Sequence, residues 1–297
     1  MAFFATRIFQ PFSLFFNLGK IAGIVTPDEA ISAVNTFQLS SYIHPMKKTV
    51  FITGATSGFG KACAQRFAKE GYRVLINGRR AELLHQLQQE LQTNHHVDVH
   101  TLVFDVRNKE EVFHHINTLP QEWKQIDVLI NNAGLAAGRD SFDEAHLDDW
   151  ETMIDTNVKG LLYVSRAVLP FMTGQNKGHV INIGSTAAKE IYEKGNVYCA
   201  TKAAVDSISK AMRIDLLPYQ IKVTAIHPGA AETEFSMVRF KGDKTKADAV
   251  YAGYTPLSAE DIADVVYYTT TLPAHVCIND LVLTCTAQAN SFYTYKG

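Results

Sequence analysis

The chain has 297 residues, 46% of them hydrophobic and 20% charged, which is the make-up of a folded globular protein rather than a disordered or fibrous one. Its 28 basic and 30 acidic residues leave a net charge of −2, which excludes the basic footprint of a nucleic-acid or membrane-surface binder. Four cysteines (Cys63, Cys199, Cys277, Cys285) form no CxxC pair and no zinc spacing, as suits a reducing cytoplasm.

Residues 1–45 are rich in Phe and hold no acidic residue before Asp28. Gln10, Pro11, Ser13 and Asn17 interrupt the apolar run, so no stretch of roughly 20 apolar residues is present to cross a membrane. A signal segment would need a clean basic start and a small-residue cleavage site, which this one lacks. The reading is an N-terminal extension outside the fold, with one domain over 46–297. From Met46 on, short β-branched runs alternate with amphipathic stretches. Strands are expected at 49–53, 72–77, 97–104, 126–131, 178–183, 221–226 and 281–285. Helices are expected at 58–71, 81–93, 109–119, 147–173, 196–217 and 259–271. Such alternation gives an α/β protein with a doubly wound parallel sheet, right-handed crossovers and helices on both faces. Residues 233–256 lack clear periodicity and read as a long irregular segment of the kind that forms lids.

Gly54, Ala55, Thr56, Ser57, Gly58, Phe59 and Gly60 follow the first strand and open the first helix. Glycines there permit a tight turn and a close backbone approach to a pyrophosphate at the positive end of the helix dipole. The second strand ends in Asn77-Gly78-Arg79-Arg80, with no carboxylate to bond a ribose hydroxyl. Two guanidiniums at a helix start call for an anion, and a 2′-phosphate fits them, so the expected cofactor is NADP(H). Asp105 and Val106 after the third strand and Asn132 after the fourth also stand at carboxyl ends of strands, where open α/β sheets bind ligands. Asp105 and Asn132 are also suited to capping the helix that follows; Asn131 is read as structural.

Tyr198 and Lys202 are four apart on a predicted helix, so phenol and ammonium share one face. A free Tyr titrates near pH ~10, and a neighbouring cation favours the phenolate a base would need. Ser185, just past the fifth strand, is placed to donate to a substrate oxygen beside Tyr198, although a turn or cap role is the commoner one for such a Ser. Asn157 is a poor helix former in an apolar stretch. It serves either an internal hydrogen bond or a water linking Lys202 to solvent.

Taken together, Thr53–Gly60, Asn131–Gly134, Asn157, Ser185, Tyr198, Lys202 and Pro228-Gly229 resemble the short-chain dehydrogenase/reductase family in order and spacing. The resemblance covers about residues 47–285 and implies one Rossmann-type domain with a seven-stranded parallel sheet, typically a homotetramer. It implies that Asn157, Ser185, Tyr198 and Lys202 form a catalytic tetrad. It further implies that Pro228, Gly229 and Thr233 contact the nicotinamide end of the cofactor. The strings 149–157, 195–198, 232–236, 238–243 and 271–276 are similar to the NADP-dependent 3-hydroxy acid dehydrogenases of bacteria and yeast. That likeness implies a small-molecule 3-hydroxy acid substrate whose carboxylate needs a cation, and Arg239 is the candidate. The loop 188–194 departs from that subgroup in being bulkier and more charged, which leaves the preferred acid open. The other readings are a reductase of a neutral ketone or diketone and a non-catalytic NADP(H)-sensing regulator; the filled tetrad argues against the second. The pairs His95-His96 and His114-His115 have no ligand-set spacing, so no metal is expected.

Overall fold

In the computed structural model the described residues are 47–297, and the expectation of an extension over 1–45 lies outside them. The seven strands are β1 (Thr49–Ile52), β2 (Arg73–Gly78), β3 (Val99–Val103), β4 (Val128–Asn131), β5 (Gly178–Ile183), β6 (Ile221–Pro228) and β7 (Asp280–Leu283). They pair in the order β3-β2-β1-β4-β5-β6-β7, every pair parallel. The helices are α1 (Gly58–Lys69), α2 (Ala81–His95), α3 (Lys109–Asn117), α4 (Leu147–Ile154), α5 (Leu161–Gln175), α6 (Asn196–Asp215), α7 (Glu234–Arg239), α8 (Lys244–Ala249) and α9 (Ala259–Thr271). Both faces of the sheet are covered, so the strands read as continuous apolar runs rather than alternating ones. Val50 and Ile52 point to one face, against Phe67, Leu84, Leu91, Ile262 and Val266. Phe51 points to the other, against Val112, Ile116, Val164 and Val168. Among the described residues no helix is long and apolar enough to cross a membrane.

Two expectations are refined. The helix expected over 147–173 is present, and a π-helical turn at Asp155–Gly160 divides it into α4 and α5. The turn carries Asn157, whose amide clamps the main chain of Leu135; a one-residue bulge aims it there. Residues 233–256 are not irregular throughout, because they hold α7 and α8. Each has a side-chain cap, Thr233 to the Phe235 N–H and Asp243 to the Lys246 N–H. Six-residue helices are too short to show an apolar period, which is why the sequence pattern misses them.

The strand order reverses between β1 and β4, and a crevice opens there at the carboxyl ends of the strands. Most of the candidate site residues line this crevice, and Ala55, Gly60 and Asn157 stand behind its wall.

Candidate active site

Asn132 fastens the two sides of the switch point together. Its Nδ2 donates to the carbonyls of Thr53 (2.9 Å) and Gly54 (3.1 Å), while the Thr53 hydroxyl accepts the N–H groups of Asn132 and Ala133. Gly54 has φ +65° and Gly58 φ +52°, which only glycine adopts without strain. At Gly60 a Cβ would overlap the Gly54 carbonyl, so the helix start and the turn are in direct contact. Ala55 turns into the core, its N–H donating to the Asn77 carbonyl at 2.8 Å. The expected loop is thus of two kinds. Gly54, Thr56, Ser57, Gly58 and Phe59 wall the crevice, and Ala55 and Gly60 hold it in shape. The cradle admits a backbone-bound phosphate where side chains would fill it, so it fits a dinucleotide.

Arg79 and Arg80 both line the same cavity, which has a volume of about 530 Å³. Arg80 donates to the Thr56 hydroxyl at 2.8 Å and the Ser57 hydroxyl at 3.1 Å, and stands 3.3 Å from the Glu234 carboxylate. Arg79 stands 3.7 Å from Asp105. The guanidiniums therefore have protein anions of their own, Asp105 for Arg79 and Glu234 for Arg80. These pairs are solvent-exposed and worth little, so both side chains stay free to turn to a phosphate. Asp105 lines the cavity too, with Arg107 held against its carboxylate at 2.6 Å. Burial pushes its acid upward, but the hydrogen bonds and charge of Arg107 outweigh that and hold it below the usual range. Val106 packs beneath, 2.8 Å from where a Cβ of Gly160 would stand.

At the other end of the cavity stand Ser185, Tyr198 and Lys202, with Pro228, Gly229, Thr233 and Arg239. Ser185 caps the short 3₁₀ turn Thr186–Ala188, its Oγ accepting the Ala187 N–H at 3.1 Å. Tyr198 and Lys202 lie one turn apart on α6 and both are buried. Lys202 Nζ donates to the Ile183 carbonyl at 3.0 Å and lies 6.0 Å from the centroid of the Tyr198 ring. Burial pulls this ammonium down to about 8. It pushes the Tyr198 phenol up, with Tyr192 adding to the rise and Ser185 and Arg239 opposing it. The protein alone thus does not prime the phenol in the way that helical spacing suggests, because Lys202 reaches past the ring to the main chain of β5. Asn157 does not line the cavity. Its Oδ1 accepts the Leu135 N–H (2.8 Å), and its Nδ2 donates to the Leu135 carbonyl (2.8 Å) and the Thr201 hydroxyl (3.0 Å). The amide is fully used within the protein, and any water it serves must be held by its main chain.

Sequence reasoning missed three neighbours. Tyr192, from the loop 188–194, accepts a hydrogen bond from Arg239 Nη1 at 3.0 Å. The Arg239 guanidinium lies 5.5 Å from the Tyr192 ring and 5.6 Å from that of Tyr198. Gln288, in the C-terminal segment, accepts the Ala230 N–H at 2.8 Å and packs where a Gly229 side chain would stand. His227 lies fully buried behind Ser185. The bulky loop residue Tyr192 and the basic-apolar string holding Arg239 were visible in the sequence; their meeting was not.

Comparison with known proteins follows the same lines. Residues 48–244 match the family described as short chain dehydrogenase. The chain is 51% identical over 231 residues to the NADP-dependent 3-hydroxy acid dehydrogenase of Salmonella typhi, covering 77% of this chain and 92% of that protein. It is 45% identical over 249 residues to sulfoacetaldehyde reductase 2 of Chromohalobacter salexigens, covering 84% and 98%. Among solved structures, a closed form of serine dehydrogenase complexed with NADP+ superposes with a TM-score of 0.78 at 46% identity, over 84% of this chain and 99% of that one.

Proposed function

This chain belongs to the short-chain dehydrogenase family, and from that premise we propose that it transfers a hydride between NADP(H) and the 3-hydroxyl or 3-oxo carbon of a small 3-hydroxy acid. The substrate class is that of serine, L-allo-threonine and 3-hydroxypropionate or malonic semialdehyde. When bound, the nicotinamide supplies the hydride acceptor or donor. The glycine cradle from Gly54 to Gly60, Asn132, Asp105 and Val106 hold the dinucleotide, and Arg79 and Arg80 hold its 2′-phosphate.

At the reacting end Tyr198 takes the hydroxyl proton in oxidation and returns it in reduction. Ser185 spends its Oγ lone pair on the Ala187 N–H, which leaves its proton to donate to the substrate oxygen. Lys202, pulled down by burial, is a cation that a small change of surroundings charges or discharges, so it can steer the phenol. Asn157 fixes Leu135 and the π-turn against α6, and so sets the distance between the cavity floor and Thr201. Pro228, Gly229 and Thr233, which line the cavity near Ser185, would hold the nicotinamide end.

The single observation that carries the acid reading is Arg239, whose guanidinium faces the Tyr198 ring inside the cavity. A neutral ketone would leave this charge with neutral partners alone, the Tyr192 hydroxyl and the Gly138 carbonyl, whereas a carboxylate pairs with it. The enzyme is proposed to work in the cytoplasm as a homotetramer, with residues 1–45 outside the catalytic domain. A panel of 3-hydroxy acids, β-hydroxy amino acids and simple alcohols, each with NADP⁺ and NAD⁺, tests the reading. Turnover of the acids with NADP⁺ supports it; turnover confined to neutral alcohols refutes it.

A further inference from the structure

Behind Ser185, on the side away from the cavity, five titratable side chains from four segments meet. His227, on β6, is 0% exposed. A Cβ on Gly184 would overlap its imidazole, so the ring packs directly beneath the Gly184–Ser185 main chain. Its Nδ1 accepts the Ser185 N–H at 3.4 Å and lies 3.2 Å from the Ser185 carbonyl oxygen. Its Nε2 lies 3.0 Å from Asp280 Oδ1 on β7 and 3.6 Å from Asp206 Oδ1 on α6, neither in hydrogen-bonding alignment. Lys189, from the turn after Ser185, sets its Nζ between the two carboxylates, 3.0 Å from Asp206 Oδ1 and 2.6 Å from Asp280 Oδ2. Lys210, one turn further along α6, pairs with Asp206 at 2.8 Å.

We propose that His227 is a positioning residue for Ser185, and that Lys189 with Asp206 and Asp280 sets the charge state in which it performs that role. One ring nitrogen is within reach of both main-chain groups of Ser185. A neutral imidazole with a bare Nδ1 accepts the Ser185 N–H. A protonated one donates to the Ser185 carbonyl and gives up the N–H. The two states hold the peptide differently, and the Ser185 hydroxyl moves with it. Burial and the Lys189 charge disfavour protonation, while Asp280 and Asp206 favour it, and the balance leaves the imidazole below its ordinary range. The charged loop residue Lys189 thus acts inward, on the support of Ser185, rather than on the substrate wall.

The proposal rests on the catalytic reading of Ser185, and its test separates the two. Oxidation of 3-hydroxy acids by NADP⁺ is followed against pH in wild type, His227→Leu, His227→Asn and Lys189→Met, with thermal melting to check folding. His227→Leu is expected to lower kcat by about ten-fold or more, with KM for NADP⁺ within two-fold, since small misplacements near the reacting atoms are costly in rate. His227→Asn, whose amide oxygen can replace Nδ1 as acceptor but does not titrate, should recover most of kcat and lose the lower of two acid limbs, keeping the one that Tyr198 imposes as the base. Lys189→Met should move that limb to higher pH. Unchanged kcat in His227→Leu, or an acid limb unmoved in Lys189→Met, would overturn the proposal. Nitrogen chemical shifts of His227 report its protonation without turnover. If the wild type oxidises no 3-hydroxy acid, the functional reading fails, yet a bare Nδ1 at pH 8 still supports the support role, and a protonated one defeats it.

Discussion

Arg239 holds its guanidinium 5.6 Å from the centre of the Tyr198 ring while donating to the Tyr192 hydroxyl at 3.0 Å. A cation thus faces the phenol that handles the proton, and a residue of the loop before α6 fixes its direction. Arg239 also ties back to the strand side of the cavity, its carbonyl accepting the Gly138 N–H at 3.0 Å.

Replacing Arg239 with Met keeps the stem and removes the charge. Hydrogen bonds to charged groups contribute about 1.5–3 kcal/mol, so KM for 3-hydroxy acids should rise roughly ten- to hundred-fold. A neutral alcohol should lose little. Steady-state kinetics on both classes decide it, and an equal loss on the two would remove Arg239 from the substrate site.

Arg80 is already oriented by Thr56 and Ser57 on the glycine turn. Arg80→Ala should therefore raise the Kd of NADPH by about ten-fold or more while leaving that of NADH within two- to three-fold. Fluorescence titration with each cofactor gives the ratio. A parallel loss for both would mean that Arg80 supports the loop rather than the phosphate.

How much of this was legible in the residues depends on range. The sheet was read correctly because its strands are apolar on both faces and separated by amphipathic helices, a pattern carried by neighbours in sequence. Helix ends were misplaced by a few residues, as α2 shows by running to His95. The π-turn at Asn157 was hidden, because the contact it serves is a hydrogen bond to Leu135, 22 residues away. Tyr198, Lys202 and Ser185 could be placed from spacing because one helix and one strand end fix them. Tyr192, Gln288 and His227 could not. Their roles arise only when the loop before α6, the C-terminal segment and β6 converge. How Lys202 acts on Tyr198 is not legible from spacing either, since helical spacing gives a shared face but not where the ammonium ends.

Lys202 makes a stability prediction of definite sign. Burial depresses its ammonium from 10.5 to about 8 in the folded chain. Between those values the unfolded chain binds a proton that the folded one does not, so stability rises with pH across that window. The depression caps the gain at roughly 3 kcal/mol. Tyr198, pushed up by burial, works in the opposite sense above pH ~10, where the unfolded chain gives up its proton first. Denaturant melts of wild type at pH 8 and pH 10 should therefore differ more than those of Lys202→Met. Equal pH slopes in the two proteins would show that Lys202 is not held in a desolvating site.

The account stands or falls on Tyr198 as the proton donor and acceptor. Tyr198→Phe removes one oxygen and leaves the ring against Phe235, 5.7 Å between centroids, so the fold and the dinucleotide cradle should persist. The deciding measurement is NADPH formation from a 3-hydroxy acid and NADP⁺ by this variant, alongside its Kd for NADPH. The account predicts a loss of turnover of about a thousand-fold or more with Kd within three-fold of wild type. Turnover within ten-fold of wild type at the same Kd would contradict it.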